Sequence, residues 1–151
     1  MNPATKAASS TGNVSLITQL GRVIYRRATE DVIGMRLKQL IALDHLRDQK
    51  SCLQQALGQT LMLDANNCVL LLNDLDEAGY VERRRDPKDR RRHIVEITAK
   101  GERALESAEA QLESLEDEVL GNLSAAERGQ LHDLLSRALE GQDAEPPTDC
   151  G

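Results

Sequence analysis

The sequence is almost without aromatic residues: its 151 residues include two Tyr and no Trp or Phe. A hydrophobic core must therefore be built from Leu, Ile, Val and Ala, a composition that favours helices over an all-β sandwich. No apolar run approaches the length that spans a membrane, and no charged-then-apolar signal opens the chain. The sequence predicts a cytoplasmic protein with no membrane partner, built as one domain with helical extensions.

Cysteine is scarce, and motifs of metal binding or catalysis are missing. Cys52, Cys68 and Cys150 have neither metal-ligand spacing nor the density of a disulfide framework. The three histidines are far apart and have no local carboxylate pattern. No nucleophile elbow, phosphate-binding loop or paired-acid motif occurs. We therefore expect a protein that is not an enzyme and that needs no metal or cofactor.

Positive charge is concentrated in one place. The stretch RRRDPKDRRR, from Arg83 to Arg92, holds seven of the 19 Lys and Arg residues, although the chain has a net charge of −6. Residues 51–82 carry no Lys or Arg, and residues 99–151 are strongly acidic. The basic segment can contact a polyanion, whereas the acidic C-terminal part cannot. The cluster predicts contact with a nucleic-acid backbone.

Helical periodicity and capping signals predict three helices before residue 60. Asn13 is a candidate N-cap for a first helix over 13–29, and a second helix is predicted over 35–48. Ser51 opens a capping-box pattern, which predicts a short third helix over 52–59.

A fourth helix is predicted over 65–78, with Asp64 as N-cap and Gly79 just after its end. A short helix, a turn and a longer helix form a helix-turn-helix arrangement. The basic segment then lies between two short strands, with turn residues at 86–89 and a returning strand at 93–98. This order of elements predicts a winged helix.

The C-terminal third predicts helices that need a partner. A long charged helix is predicted over 99–120, and a capping box at Ser124 opens a last helix that reaches about Glu140. We expect the terminal helices of two chains to bury their apolar stripes together. The long helix carries a seam at alternating spacings of three and four, Leu105, Ala108, Leu112, Leu115 and Val119. The last helix is expected to place four leucines inside, Leu131, Leu134, Leu135 and Leu139.

Residues 75–101, LDEAGYVERRRDPKDRRRHIVEITAKG, resemble the MarR family of bacterial winged-helix transcription regulators, and the similarity runs from about Asn13 to Glu140. The resemblance implies a mainly α fold with a small β-wing (α+β): a winged helix-turn-helix with N- and C-terminal dimerisation helices. It divides the chain into a disordered arm (1–12), a dimerisation helix (13–34), a winged-helix DNA-binding domain (35–98), dimerisation helices (99–141) and a disordered tail (142–151).

The resemblance also implies a function: a repressor that binds double-stranded DNA at a pseudo-palindromic operator as a homodimer and is released by a small aromatic ligand. By position, Arg91 matches the family's wing arginine, and Asp89 the acid that orients it. Because residues 51–82 lack Lys and Arg, base reading is expected to rest on two asparagines and on apolar contacts, for example with thymine methyl groups. The residues expected at the DNA are Ser51, Asn66, Asn67, Val69, Arg84, Arg85, Lys88, Asp89, Arg90, Arg91 and Arg92.

The remaining expectations concern the dimer and the effector. The effector cleft is expected between the dimerisation helices and the DNA-reading unit, near the Met35 end of the second helix. Cationic side chains there would anchor a salicylate-like anion. The expected ligand residues are Arg22, Tyr25, Arg26 and His45. The expected dimer contacts are Leu16, Leu20, Leu105, Leu112, Leu115 and Leu135.

Two alternatives remain open. The first is a redox-sensing regulator that acts through Cys52, at a predicted helix N-terminus that could lower its pKa, or through Cys68, which otherwise is a small buried hydrophobe. The second is a helical, dimeric protein-interaction module whose basic hairpin binds an acidic partner. A steep dependence of affinity on salt would favour DNA over such a partner.

Overall fold

The computed structural model of the protein describes residues 11–142. Within this range the chain is mainly helical and has one small antiparallel sheet, which confirms the predicted fold class. The predicted disordered arm and tail lie almost entirely outside the described residues. The elements in chain order are α1 Asn13–Arg27, α2 Glu30–Ile33, α3 Leu37–Gln49, β1 Ser51–Leu53, α4 Gln54–Thr60, α5 Ala65–Glu77, β2 Val81–Arg85, β3 His93–Ile97, α6 Ala99–Val119 and α7 Ala125–Leu139.

The sheet has the order β1-β3-β2, so β3 is its central strand. Val95 in β3 lies between Cys52 of β1 and Arg83 of β2 in the antiparallel register. Val95 is fully buried and Cys52 is 1% exposed, because this face of the sheet covers the helices. β2 and β3 continue past β1 as a two-stranded hairpin that carries the basic segment.

The predicted start of the third helix is wrong. Residues 51–53 form β1, and the helix begins at Gln54 with Leu53 as its N-cap. Ser51 pairs with Glu96 instead of capping a helix. Pairing with β3 satisfies the backbone of residues 51–53 and buries two apolar side chains, and this tertiary gain outweighs the local capping signal.

Two boundaries at the N-terminal end also differ from the prediction. Gly12, not Asn13, is the N-cap of α1, which ends at Arg27. The sequence prediction missed the four-residue helix α2, which ends at Gly34 with a φ of 85°. A left-handed residue reverses the chain at this point, so α3 starts at Leu37 and not at Met35.

The core is formed by leucines of α3, α4, α5 and α6 that have no accessible surface. Each such side chain stabilises the fold by about 1.5–3 kcal/mol relative to an exposed one. Leu105 is also wholly buried and Leu115 is 5% exposed, both within their own chain. These two predicted dimer contacts are thus covered within the single chain and leave little surface for a partner, and their role in a dimer stays a prediction. The wholly covered leucines of α3, α4 and α5 are Leu43, Leu46, Leu57, Leu72 and Leu75.

The helices at the two ends remain largely uncovered. Neither α1 nor α7 has a buried residue. Leu134 and Leu139 of α7 are 59% and 66% exposed, so the prediction that they lie inside is wrong for the single chain. Among residues 11–142, no helix is both long and apolar enough to cross a membrane.

The wing is joined tightly to the start of α6. Thr98 is the N-cap of this helix: its hydroxyl accepts from the Gly101 N–H at 3.0 Å and donates to the Gly79 carbonyl at 2.6 Å. Helix and strand approach so closely at Gly101 that a Cβ there would lie 2.2 Å from the Tyr80 carbonyl oxygen. The position of the wing is therefore tied to that of the long helix.

Candidate nucleic-acid interface

Helix α5 is the longer helix of the helix-turn-helix and presents a polar and apolar outer face. Asp64 caps it as predicted, accepting from the Asn67 N–H at 2.8 Å. Its inner face is buried through Cys68, Leu71, Leu72 and Leu75, as the periodicity predicted. The exposed residues of its first two turns are Ala65, Asn66, Asn67, Val69 and Leu70, and Asn73 is exposed in the third turn.

The two asparagines proposed for base reading differ in their surroundings. The Asn67 side-chain amide donates to the second Asp64 oxygen at 2.8 Å, so it belongs to the helix cap. In the part of the chain that the structure describes, no hydrogen bond holds the exposed Asn66 side chain. Asn66 is therefore the more available of the two for a base.

Arginines from neighbouring elements pair with the acidic residues along α5. Arg36, the N-cap of α3, donates to Asp74. Arg83 of β2 donates to Asp76 at 3.0 Å and to the Asn73 side-chain oxygen at 2.8 Å. These pairs offset the negative charge of a helix that has no cation of its own, which lowers its repulsion from DNA phosphates.

The tip of the wing, residues 86–92, is an ordered turn. The Asp86 N–H donates to the Arg92 carbonyl at 2.9 Å, and the Arg92 N–H donates to the Asp89 carbonyl at 3.0 Å. The Asp86 side chain, 8% exposed, accepts from the Lys88 N–H at 3.0 Å. The turn residues named in the sequence thus fix the shape of the basic tip.

Arg91 is an exposed cation at this tip. Its side chain is 91% exposed, and its Nε donates to Asp89 Oδ1 at 3.1 Å. The Arg91 side chain, followed by its backbone N–H, stabilises the charged form of Asp89 and lowers the pKa of that carboxyl. Asp89 thus holds the guanidinium by a hydrogen bond while the Arg91 side chain stays open to solvent, and the orienting role that the resemblance implied for Asp89 stays a prediction.

The other cations of the basic segment have different neighbours. Arg84 pairs with Glu96 across the hairpin at 2.8 Å, and Arg85 donates to the Arg90 carbonyl at 2.7 Å. The side chain of Arg83 is only 23% exposed against α5. The segment thus divides into a base that holds the wing together and a tip that can reach a ligand.

A groove of about 460 Å³ separates the wing tip from the helix-turn-helix. Arg91 and His93 line its wing side, and Val69 lines its helix side. Ser51, by contrast, lies in β1 opposite Glu96, near the base of the hairpin and far along β3 from the tip. Of the residues predicted at the DNA, Val69, Arg91 and Arg92 line this groove, whereas Asn67 lines a different groove and Ser51 lines neither.

The predicted effector residues are only partly together. A second groove of about 300 Å³ lies between α1, α3 and α5, and Tyr25 lines it together with Arg36 and Lys38. Arg22, Arg26 and His45 do not line it. Sequence reasoning missed Arg36 and Lys38; their signal is two cations at a helix start, where the helix dipole disfavours them.

The two cysteines within residues 11–142 are both buried. Cys52 lies in β1 rather than at the predicted helix N-terminus, and it is 1% exposed. Cys68 is 3% exposed, and burial raises the pKa of its thiol, which disfavours the reactive thiolate. Among residues 11–142, no group of three His, Cys, Asp or Glu could hold a metal ion.

The family model for the MarR family matches residues 33–92 of the chain. The HTH-type transcriptional regulator BilQ of Clostridium symbiosum is 31% identical over 104 residues, which cover 69% of this chain and 72% of that protein. The transcriptional regulator HosA of Escherichia coli O111:H- is 30% identical over 94 residues, 62% of this chain and 70% of that protein.

Solved structures show the same fold. A probable transcriptional regulator from Pseudomonas aeruginosa has a TM-score of 0.70 and 27% identity, covering 85% of this chain and 98% of that chain. A MarR mutant of E. coli complexed with operator DNA has a TM-score of 0.67 and 25% identity, covering 82% of this chain and 91% of that chain.

Proposed function

The chain belongs to the MarR family of transcription regulators, which are not enzymes, and from this premise we propose that it is a repressor that binds a pseudo-palindromic operator as a homodimer. In this proposal α5 enters the major groove and the wing tip enters the adjacent minor groove. Helices α1, α6 and α7 hold the two protomers together. The proposed repressor acts by occupying its operator.

The observation that carries the proposal is the wing tip. An ordered turn holds Arg91 almost fully exposed against Asp89, at the end of a hairpin that packs against α5. An arginine offered in a fixed orientation suits the narrow, strongly negative minor groove. Residues 51–82 and 99–151, which flank the wing in the sequence, are acidic, so the basic tip is a surface suited to a polyanion.

The proposal of a homodimer rests on the uncovered end helices. α1 and α7 expose apolar side chains such as Leu16, at 49%, and Leu134, at 59%. An apolar groove of about 260 Å³ between α1, α6 and α7 is lined by Leu20, Leu112 and Leu135. A second copy would cover this surface, and a two-fold dimer matches the symmetry of an inverted repeat.

The test is selection of bound fragments from genomic DNA by the purified full chain. We expect an inverted repeat among the bound fragments. The logarithm of the affinity should fall steeply with the logarithm of salt concentration, by several units for two wings. Binding with no sequence enrichment, or a complex indifferent to competitor DNA and to salt, would instead favour a module that binds an acidic protein.

We also propose that a small aromatic acid is the effector and that it binds in the groove between α1, α3 and α5. Its carboxylate would pair with Arg36 in place of Asp74, and its ring would lie near Tyr25 and Leu70. Freeing Asp74 would return negative charge to α5 beside the DNA. The ligand would therefore favour the unbound state.

Operator release by salicylate-like anions tests this proposal, with each variant compared at its own operator affinity. We expect wild type and Arg22→Gln to respond alike, whereas Arg36→Gln should lose the response. A response that survives Arg36→Gln would place the effector elsewhere. Release by peroxide that a thiol reverses, and that Cys68→Ser or Cys52→Ser abolishes, would replace ligand sensing with a redox switch.

A further inference from the structure

We propose that α5 reads thymine methyl groups through Leu70 and Val69, so that the preferred half-sites carry thymines where these side chains enter the major groove. This inference rests on the proposed function and names the base chemistry that the recognition helix selects. Leu70 and Val69 are apolar side chains exposed on an otherwise polar face of the helix, and the proposed role in sequence specificity explains why they are exposed.

The geometry of α5 places these side chains on the face that would meet DNA. At 3.6 residues per turn, Asn66, Leu70 and Asn73 lie within about 60° of one another around the helix axis. The buried residues of the same helix, Leu71 and Leu75 among them, occupy the opposite side. Leu70 is 53% exposed near the middle of the outer surface, and Val69, about 100° further round the axis, is 37% exposed and lines the groove beside the wing.

Side chains along the edges of α5 are engaged in contacts within the chain, which limits the side chains that are available to contact bases. Asp74 and Asp76 pair with Arg36 and Arg83, and Asn67 is held in the helix cap. No Lys or Arg occurs in the helix, so α5 lacks the long donor that recognises guanine O6 and N7. Asn73 accepts from Arg83, so the outer face is left with the Asn66 amide and with the aliphatic side chains of Leu70 and Val69.

The major groove has one apolar group that matches such a surface, the C5-methyl of thymine. Leucine and valine bury apolar surface when they cover this methyl, which strengthens binding. The polar edges of guanine and cytosine offer them no such contact. Asn66 can form the paired hydrogen bonds to adenine N6 and N7. Together they favour A·T pairs at the centre of each half-site, with thymine on the strand beside Leu70.

Replacing thymine by uracil removes only the methyl group, so it tests the inference on the DNA side with the unmodified protein. Each methyl covered by Leu70 or Val69 should contribute about a fourfold change in affinity. Uracil at one such thymine in each half-site should therefore weaken operator binding by roughly sixteenfold. Uracil at thymines outside the half-sites is the control and should leave the affinity unchanged.

Leu70→Ala gives the matched test on the protein side, since this exposed substitution keeps a good helix former. The variant should bind the thymine operator more weakly and should lose the penalty for uracil at the thymine beside Leu70, while it keeps the penalty at the thymine beside Val69. Ile41→Ala, at an apolar position of α3 with similar exposure of 47%, is the control and should retain the full uracil penalty.

The possible outcomes distinguish a failure of the methyl readout from a failure of the proposed repressor function. If an operator is selected but uracil at every half-site thymine leaves the affinity unchanged, the methyl readout is wrong and the repressor proposal stands. If Leu70→Ala keeps the full uracil penalty, Leu70 is not the reader and the inference fails for it. If no operator is selected from genomic DNA, the proposed function itself fails.

Discussion

Arg91 and Arg83 belong to the same basic segment, but their contacts indicate different roles. Arg91 is exposed at the wing tip beside Asp89, whereas Arg83 is bonded to Asp76 and Asn73 of α5. We expect Arg91→Ala to weaken operator binding at least about tenfold and to reduce the salt slope by about two units in a dimer, because each protomer loses one contact. Its unfolding temperature should match that of wild type.

Arg83→Ala is the matched control from the same segment. It removes the pairing between wing and helix, so it should lower the free energy of unfolding by about 1 kcal/mol and reduce operator affinity less than Arg91→Ala does. Titration of the selected operator at several salt concentrations, together with thermal melts, measures both effects. Wild-type affinity in Arg91→Ala would show that the wing arginine is assigned wrongly.

Gly101 is the residue at which α6 meets the wing. A Cβ at this position would lie 2.2 Å from the Tyr80 carbonyl oxygen and 2.9 Å from Ile97 Cγ1. Gly101→Ala should therefore destabilise the protein by about 2 kcal/mol or more, although alanine is the better helix former by about 1 kcal/mol. Urea unfolding followed by circular dichroism gives the free energy.

Gly129→Ala is the control for this prediction, because no atom lies within 4 Å of a Cβ at that position in α7. It should stabilise the helix by about 0.5–1 kcal/mol. Equal stability changes in the two variants would mean that the contact of α6 with β2 is looser than the geometry indicates.

At the scale of elements, an ion pair links the DNA-reading unit to the long helix. Arg47 of α3 donates to both carboxylate oxygens of Glu109 on α6, at 3.0 and 2.6 Å. The hydrogen bond from Arg47 lowers the pKa of Glu109 below its ordinary value of 4.5. Because the folded state holds the charged form more tightly, the pair stabilises the protein above pH 4.5, and the gain is lost as the pH falls through the lower folded pKa.

Glu109→Gln should therefore lower the free energy of unfolding by about 0.5 kcal/mol at pH 7, a small value because the pair is partly exposed to solvent. The difference from wild type should shrink as the pH is lowered below 4.5. Glu106→Gln, at an exposed position of the same helix, is the matched control and should leave the free energy of unfolding at pH 7 unchanged. A stability difference between Glu109→Gln and wild type that increased at acidic pH would contradict the stabilising role of the ion pair.

The same scale shows which elements the sequence can predict. The Asp64 and Ser124 caps and the two strands of the wing depend on residues close in the chain, and the structure has all of them. β1 depends on β3, more than 40 residues later, and its local signal favours a helix. A capping pattern depends only on neighbouring residues, so it cannot predict pairing with a strand that is distant in the sequence.

In the candidate site too, contacts between residues close in the sequence could be predicted, whereas contacts between distant residues could not. Asp89 and Arg91 are two residues apart, so the sequence alone could pair them. Arg36 and Asp74, or Arg83 and Asp76, meet only after α3, α5 and β2 are packed together. The sequence shows that residues 51–82 lack cations, but only the fold shows that arginines from outside the helix offset its acids.

At the scale of the whole molecule, the described chain has a covered centre and uncovered ends. Winged helix and α6 share one core, while α1 and α7 bury no residue within the chain. An aspartate at a core position such as Leu105 would simply unfold the protein. An aspartate on the outer apolar face of α7 can instead separate two folded protomers.

Leu134→Asp uses this difference, because the Leu134 side chain is 59% exposed in the single chain. We expect the variant to keep its helical circular dichroism, to sediment as a monomer at micromolar concentration and to lose the full inverted repeat, since two half-sites are no longer held together. Ser136→Asp introduces the same charge on the polar face of α7 and should remain a dimer with wild-type binding. A Leu134→Asp monomer that bound the full repeat as tightly as wild type would show that the operator does not require the dimer.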